Sequence, residues 1–169
     1  MKLLRPNQQL KEQALSFKQE FLDNNEETIN GSELLDQMDN YNEWLSMVTA
    51  NADSKTVNPN WVVTDTFFAV DSQNKIVGII DLRHTLNDFL KDIGNCGYSV
   101  RPSERRKGYA TEMLRQVLDI ARSYGMKELH LSAKKDNEAS IKTIIKNGGI
   151  YERSFEYDGV LANIYRIDL

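Results

Sequence analysis

Val100-Arg101-Pro102-Ser103-Glu104-Arg105-Arg106-Lys107-Gly108-Tyr109-Ala110 connects two regular elements. Before it, Gly97-Tyr98-Ser99-Val100 reads as the end of a strand. Pro102 closes that strand because proline has no N–H to give a ladder. After it, Thr111 to Ser123 is helical in period, with Ala110, Met113, Leu114, Val117, Leu118 and Ala121 on one stripe of a helix placed at 106–123. Between them stand the cations Arg101, Arg105, Arg106 and Lys107, and one glycine. The first turn of a helix leaves N–H groups without intrahelical acceptors and carries partial positive charge. Gly108 brings no Cβ and Ala110 little bulk, so the backbone is open to an anion. This pattern predicts a phosphate-binding turn. A solvated basic loop is the competing reading of the cations taken alone.

The chain has 169 residues, enough for one domain, 1–169, with a sizeable core. Its net charge of -4 argues against nucleic-acid binding, which needs a broadly basic surface, so the cations form a local patch. The single cysteine, Cys96, excludes an intrachain disulfide and fits a reducing compartment; it reads as a small buried hydrophobe. No apolar run follows Met1-Lys2, and no stretch is long enough to span a membrane. A cytoplasmic protein with no nucleic-acid partner, no membrane partner and no metal is expected.

Outward from the turn, Lys2-Leu3-Leu4-Arg5 reads as a strand stopped by Pro6, and Asn7 as the cap of a helix over 8–23. Ser32-Glu33-Leu34-Leu35 reads as the start of a short helix and 40–50 as another, with loops at 26–32 and 51–60. Trp61 to Val70 and Lys75 to His84 make an expected hairpin, and Ile93 to Val100 the third strand of a meander. Glu128 to Ala133 alternates as a strand, so strand, helix and strand around the basic turn form a βαβ unit with a locally parallel pair. A helix at 137–146 and a hairpin of 150–157 and 160–167, turned at Asp158-Gly159, complete the chain.

This order resembles the GNAT superfamily of acyl-CoA-dependent N-acyltransferases. The family's coenzyme A signature is Arg or Gln, two residues, Gly, one residue, Gly or Ala. It stands here as Arg105-Arg106-Lys107-Gly108-Tyr109-Ala110, preceded by Val100. A second signature stands as Asn137, Ser140 and Gly148, and the resemblance covers about residues 60–168. It implies a single-domain α/β (α+β) fold with a twisted, mixed, mostly antiparallel sheet, a central parallel pair and helices on both faces. Residues 1–58 would supply the N-terminal strand and helices, and 60–168 the acetyl-CoA-binding core. It implies N-acetyltransfer from acetyl-CoA to a primary amine of a small molecule, or of a peptide. The N–H groups from Arg105 through Tyr109 and Ala110 to Thr111 would cradle the pyrophosphate. Arg101, Arg105, Arg106 or Lys107 would add ion pairs, Val100 would hold the pantetheine or the acetyl carbonyl, and Asn137 and Ser140 would contact the arm or the phosphates. Whether the chain is a homodimer is left open.

The proton-transfer residues are not carried by a motif. Many relatives place a tyrosine acid seven residues after the Asn, where this chain has Ile144; Gly94 and Cys96 stand where others carry a Glu or His base. Tyr98 and Tyr151 are candidate acids. His84, at a strand end, is the candidate base, with a hydrogen-bonded structural role as the alternative. Acids at Glu26, Glu27, Asp88, Asp92, Glu156 and Asp158 would suit a cationic amine. Two other readings stay open. One is a coenzyme-A-binding module without catalysis; the other is a nucleotide-phosphate binder, which lacks a Walker lysine pattern and a dinucleotide glycine triad.

Overall fold

A computed structural model describes residues 1–157 and 159–169; Asp158, expected at the last hairpin turn, lies outside the described residues. β1 (Lys2–Leu4) leads to α1 (Lys11–Asp23), whose approach is capped by Asn7 Oδ1 accepting from the Gln9 and Leu10 N–H groups. α2 (Tyr41–Asn51) follows, with Asn40 accepting from the Asn42 N–H. β2 (Thr64–Val70), β3 (Ile76–Arg83) and β4 (Tyr98–Val100) form the meander. α3 (Tyr109–Ser123), β5 (Glu128–Lys134), α4 (Glu138–Lys146), β6 (Ile150–Tyr157) and β7 (Val160–Asp168) complete the order.

β2 and β3 are buried along their whole length, because helices cover both faces. On one face Phe68, Val70, Ile76 and Ile79 pack against Phe17 and Phe21 of α1 and Trp44 and Val48 of α2. On the other, Phe67, Val77, Ile80 and Leu82 meet the α3 stripe of Met113, Leu114, Val117, Leu118 and Ala121, with Ile144 of α4 behind it. Full burial of such side chains stabilises by about 1.5–3 kcal/mol each, before the entropy of ordering them. No helix among the described residues is long and apolar enough to cross a membrane.

The strands lie in order β1-β2-β3-β4 and, separately, β5-β7-β6, and every pairing is antiparallel. The parallel pair expected around α3 is therefore not formed as a ladder. Asn95 is the reason. Its N–H donates to His130 O at 2.7 Å, its Oδ1 accepts from His130 N at 2.9 Å, and its Nδ2 donates to Arg83 O at 3.0 Å. One side chain thus takes bonds that a ladder would use, and among the described residues the two segments share one isolated antiparallel bridge, Gly94 to Leu131. The strand expected over 93–100 shortens to Tyr98–Val100, and past Asn95 it has no ladder partner on the β5 side.

Register fixes what faces that gap. Arg101 N donates to Val77 O and Asp81 N to Gly97 O, so the bonded positions on β4 are the odd-numbered ones. By alternation, the Tyr98 and Val100 N–H groups point away from β3, towards β5.

Candidate functional site

The turn after β4 is built in steps. Pro102–Glu104 makes one tight helical turn, Arg105 is extended, and Arg106 and Gly108 both take left-handed backbone, at φ 65° and 86°. Glycine adopts that conformation without cost, whereas Arg106 is strained there. The two left-handed residues delay the helix expected from 106 until Tyr109. Gly108 offers α3 no side-chain cap, and the first helical bond is Glu112 N to Gly108 O at 3.1 Å. The N–H groups of residues 106–111 find no acceptor among the described residues. A Cβ at Gly108 would meet nothing within 4 Å, so these donors border open space.

The four cations separate into different roles. Arg101 is a structural tether and not a free phosphate ligand: it is buried, its Nε donates to Ile76 O at 2.8 Å, and its Nη1 pairs with Glu20 at 2.9 Å over the Phe17 ring. Burial works to raise the Glu20 carboxyl, but the Ser103 N–H and Arg101 outweigh it and hold the group below its ordinary range. Arg105 grips Glu26 with both terminal nitrogens, at 2.7 and 2.6 Å, so Glu26 belongs to this turn and not to an acceptor surface. Glu104 bridges Lys107 at 2.7 Å and Lys75 at 2.6 Å; those two bonds, Lys107 first, pull its carboxyl down to about 2. Arg106 is exposed and makes no ion pair among the described residues. The sequence showed four cations, but their partners lie far away in the chain.

α4 supplies the wall beside the turn. Asn137 Oδ1 caps it by accepting from Ser140 N at 3.1 Å. Ser140 Oγ lies 2.7 Å from the Tyr98 hydroxyl, joining α4 to β4. At the other end of α4, Asn147 Nδ2 donates to Thr111 O at 3.2 Å, a tie that sequence reading missed because Asn147 looked like a helix stop. A path therefore runs from the α3 N-terminus along α4 to Tyr98 and Val100. Burial pushes the Tyr98 phenol up to about 12, so it stays protonated at neutral pH. Ile144 is fully buried and fills core, and Tyr151 is more than half exposed on β6.

His84 does not join this group. It sits at the far end of β3 from Gly78, the partner of Val100, about 20 Å along the strand. There its Nε2 meets Asp65 at 3.0 Å and its ring lies on Tyr124, which follows the last turn of α3. It is a structural hydrogen-bonding residue, and the expectation of a base at His84 is withdrawn on that distance.

On the opposite face of β3 and β4 the connection between α1 and α2 encloses a cavity of about 480 Å³. Its wall touches β4 directly: Ser99 Oγ donates to Asn30 O at 3.0 Å, and Gly31 lies so close to Gly97 that a Cβ would come within 2.2 Å of its carbonyl oxygen. Glu33 and Arg83 line it, and Arg83 Nη2 binds Asp81 at 2.6 Å and approaches Glu33 at 3.6 Å. The short helix expected from Ser32 is not formed; Glu33 and Leu34 instead take left-handed φ of 48° and 69°. Trp44 Nε1 holds them by donating to the Ser32 and Glu33 carbonyls, both at 2.9 Å. Among the described residues no three His, Cys, Asp or Glu side chains form a metal-ligand set.

A family model described as "Acetyltransferase (GNAT) domain" matches residues 3–150. No curated protein sequence matches. Among solved structures, an acetyltransferase of the GNAT family from Streptococcus pneumoniae is 16% identical, with a TM-score of 0.71 over 99% of each chain. A variant of the spermidine N-acetyltransferase SpeG from Vibrio cholerae is 13% identical, with a TM-score of 0.68 over 99% of this chain and 95% of that one. The yncA protein of Salmonella typhimurium, solved with its cofactor acetyl-CoA, is 13% identical, with a TM-score of 0.69 over 99% and 93%. At these identities the likeness is one of fold.

Proposed function

The chain belongs to the GNAT acetyltransferase family, and from that premise we propose that it moves an acetyl group from acetyl-CoA to the primary amine of a small cationic molecule. One observation carries the reading. Among the described residues the N–H groups of residues 106–111 lack acceptors and Arg106 beside them lacks an ion pair, and the donors border open space at Gly108. Such a donor array suits a pyrophosphate, which presents several anionic oxygens to one helix N-terminus. The acetyl-CoA named for the Salmonella protein has that group.

Acetyl-CoA, when bound, supplies the acetyl group as a thioester. The chain would do the rest. Residues 106–111 and Arg106 hold the phosphates. The Val100 N–H, turned to the gap between β4 and β5, is placed to stabilise charge developing on a carbonyl oxygen. The Tyr98 hydroxyl, fixed by Ser140, offers a hydrogen bond to a leaving sulfur. Tyr98 stands about 12, well above a thiol's usual 8–9, so it supports the sulfur and is a poor source of its proton.

The cavity at the α1–α2 connection is the acceptor pocket on this reading. Its wall residue Asn30 touches β4 at Ser99 and Gly31 meets Gly97 just before it, both within three positions of Val100, and its volume of about 480 Å³ suits a small molecule better than a folded partner. The spermidine named for the Vibrio enzyme is a cationic amine of that class. The test is incubation with acetyl-CoA and a panel of diamines, amino sugars and amino acids. CoA and one acetylated amine should form in equal amounts. Tight acetyl-CoA binding without turnover on any amine would favour a binding module.

A further inference from the structure

We infer that Glu33, joined to Asp81 through Arg83 at the wall of the acceptor cavity, is the group that takes the proton from the incoming ammonium. The inference rests on the acetyltransfer reading above. It begins with placement. Glu33 is held by left-handed backbone and by Trp44 so that its side chain is only 8% exposed while lining the cavity. Asp81 is fully buried behind it on β3, with Oδ1 accepting from Gly97 N at 2.5 Å and Oδ2 from Arg83 at 2.6 Å. Two buried carboxyls thus share one guanidinium, which cannot neutralise both.

A second observation marks the same wall. Arg83 Nε borders this cavity, is buried, and has no hydrogen-bond partner among the described residues, while the Trp61 indole N–H faces the Glu33 carboxyl and works to lower it. Unsatisfied buried donors are rare in a settled core, and each calls for an explanation such as a bound water, ion or catalytic role. The Arg83 side chain itself is 10% exposed.

The charged and titratable surroundings are limited. Asp81 and Arg83 come from β3, Cys96 from the approach to β4, where its thiol donates to Asp81 O at 2.8 Å, and Asp36 from the α1–α2 connection. α2 and the segment after it contribute the neutral Asn51, Asn58 and Trp61 to the lining. Burial, and then the Asp81 charge, raise the Glu33 carboxyl to about 7, against the pull of Arg83. Burial raises Asp81 as well. Both carboxyls thus hold a proton more readily than free ones, and Glu33, at about 7, stands in the range in which a general base is most useful.

The step balances. One N–H bond of the ammonium breaks and one O–H bond forms on the carboxyl pair, while the electron pair stays on nitrogen and makes it a nucleophile. The captured proton leaves to solvent through the cavity mouth. Gly97, bound to Asp81, directly precedes β4 and stands three positions before Val100, about 10 Å along the chain. The carboxyl pair is thus tied through Gly97 to the strand that borders the gap between β4 and β5, the direction in which the deprotonated amine would move.

The test uses the full chain, acetyl-CoA and the best amine of the panel, with Glu33→Gln as the near-isosteric variant and Glu12→Gln, on the exposed side of α1, as the surface control. In the wild type, kcat/KM should rise with pH through an apparent pKa near the Glu33 value of about 7. Glu33→Gln should lose that limb and lower kcat by about 100-fold or more, the size of general-base catalysis, with acetyl-CoA affinity by calorimetry unchanged. Glu12→Gln should keep both. A carboxyl 13C titration of the wild type supplies a readout without turnover, and Glu33 titrating in the ordinary glutamate range would overturn the inference. Retention of the limb and of kcat in Glu33→Gln would overturn it while leaving acetyltransfer intact. A wild type that binds acetyl-CoA but acetylates no amine would remove both.

Discussion

Replacing Glu33 by Gln should make the protein more stable at neutral pH, and by an amount that depends on pH in one direction. The Glu33 carboxyl stands at about 7 in the folded chain against an ordinary 4.5, chiefly because burial disfavours its charge. A raised folded value means that its contribution is fully present below 4.5 and is lost as pH rises towards 7. The difference converts at about 1.4 kcal/mol per pH unit, giving about 3 kcal/mol as an upper bound, since Asp81 shares the effect. Glutamine keeps the shape and never ionises. The two proteins should therefore be similar in stability near pH 4.5 and diverge up to pH 8, with the variant ahead. Urea unfolding followed by tryptophan fluorescence, with Trp44 fully buried as the reporter, measures this at each pH. The comparison must be a difference between the two proteins. Glu104, held down at about 2, and the depressed Glu20 and Glu26 pull the other way as acid is added, and they cancel in it. A difference that is flat from pH 4.5 to 8 would refute the buried-carboxylate reasoning.

Other outcomes follow from the division of labour in the basic turn. Arg101→Met should cost about 2–4 kcal/mol in urea unfolding, because it strands Glu20 and removes the bond to Ile76, yet leave acetyl-CoA affinity close to wild type once folded. Arg106→Ala should do the reverse, weakening acetyl-CoA about tenfold by calorimetry and lowering its salt dependence, with unchanged stability. His84→Ala should lose about 1 kcal/mol of stability with its bond to Asp65 and leave kcat unaltered; a large fall in kcat would return His84 to the mechanism.

Much of the fold is local, and that part was readable. The α3 stripe, the hairpin of β2 and β3 and the caps at Asn7 and Asn137 follow from period and residue type within a few positions. The basic turn was readable as a turn for the same reason. Which of its cations is free was not, since Glu20 and Glu26 reach Arg101 and Arg105 across 81 and 79 positions of chain. Asn95 hid in an apparently continuous strand because a side chain imitating a ladder leaves no periodic trace. Glu33 was harder still. Ser32-Glu33-Leu34-Leu35 carries helix-start chemistry, and only the packing of Trp44 and the close meeting of Gly31 with Gly97 turn it left-handed and inward. Missing proton-transfer positions at Gly94, Cys96 and Ile144 were visible as gaps, whereas the carboxyl assigned above to the base, Glu33, comes from another part of the chain.

The claim that everything else depends on is that the donor array between β4 and α3 holds acetyl-CoA. Calorimetric titration of acetyl-CoA into the wild type and into Gly108→Val tests it most directly. The valine Cβ enters space that is open in the protein alone, so its crowding falls on a ligand. The left-handed φ of 86° adds strain of about 1–2 kcal/mol, which parallel thermal unfolding will register separately. The account predicts one acetyl-CoA per wild-type chain and affinity weakened at least tenfold, about 1.4 kcal/mol, in a folded Gly108→Val. Equal affinity in the two proteins, or no binding by the wild type, would contradict it.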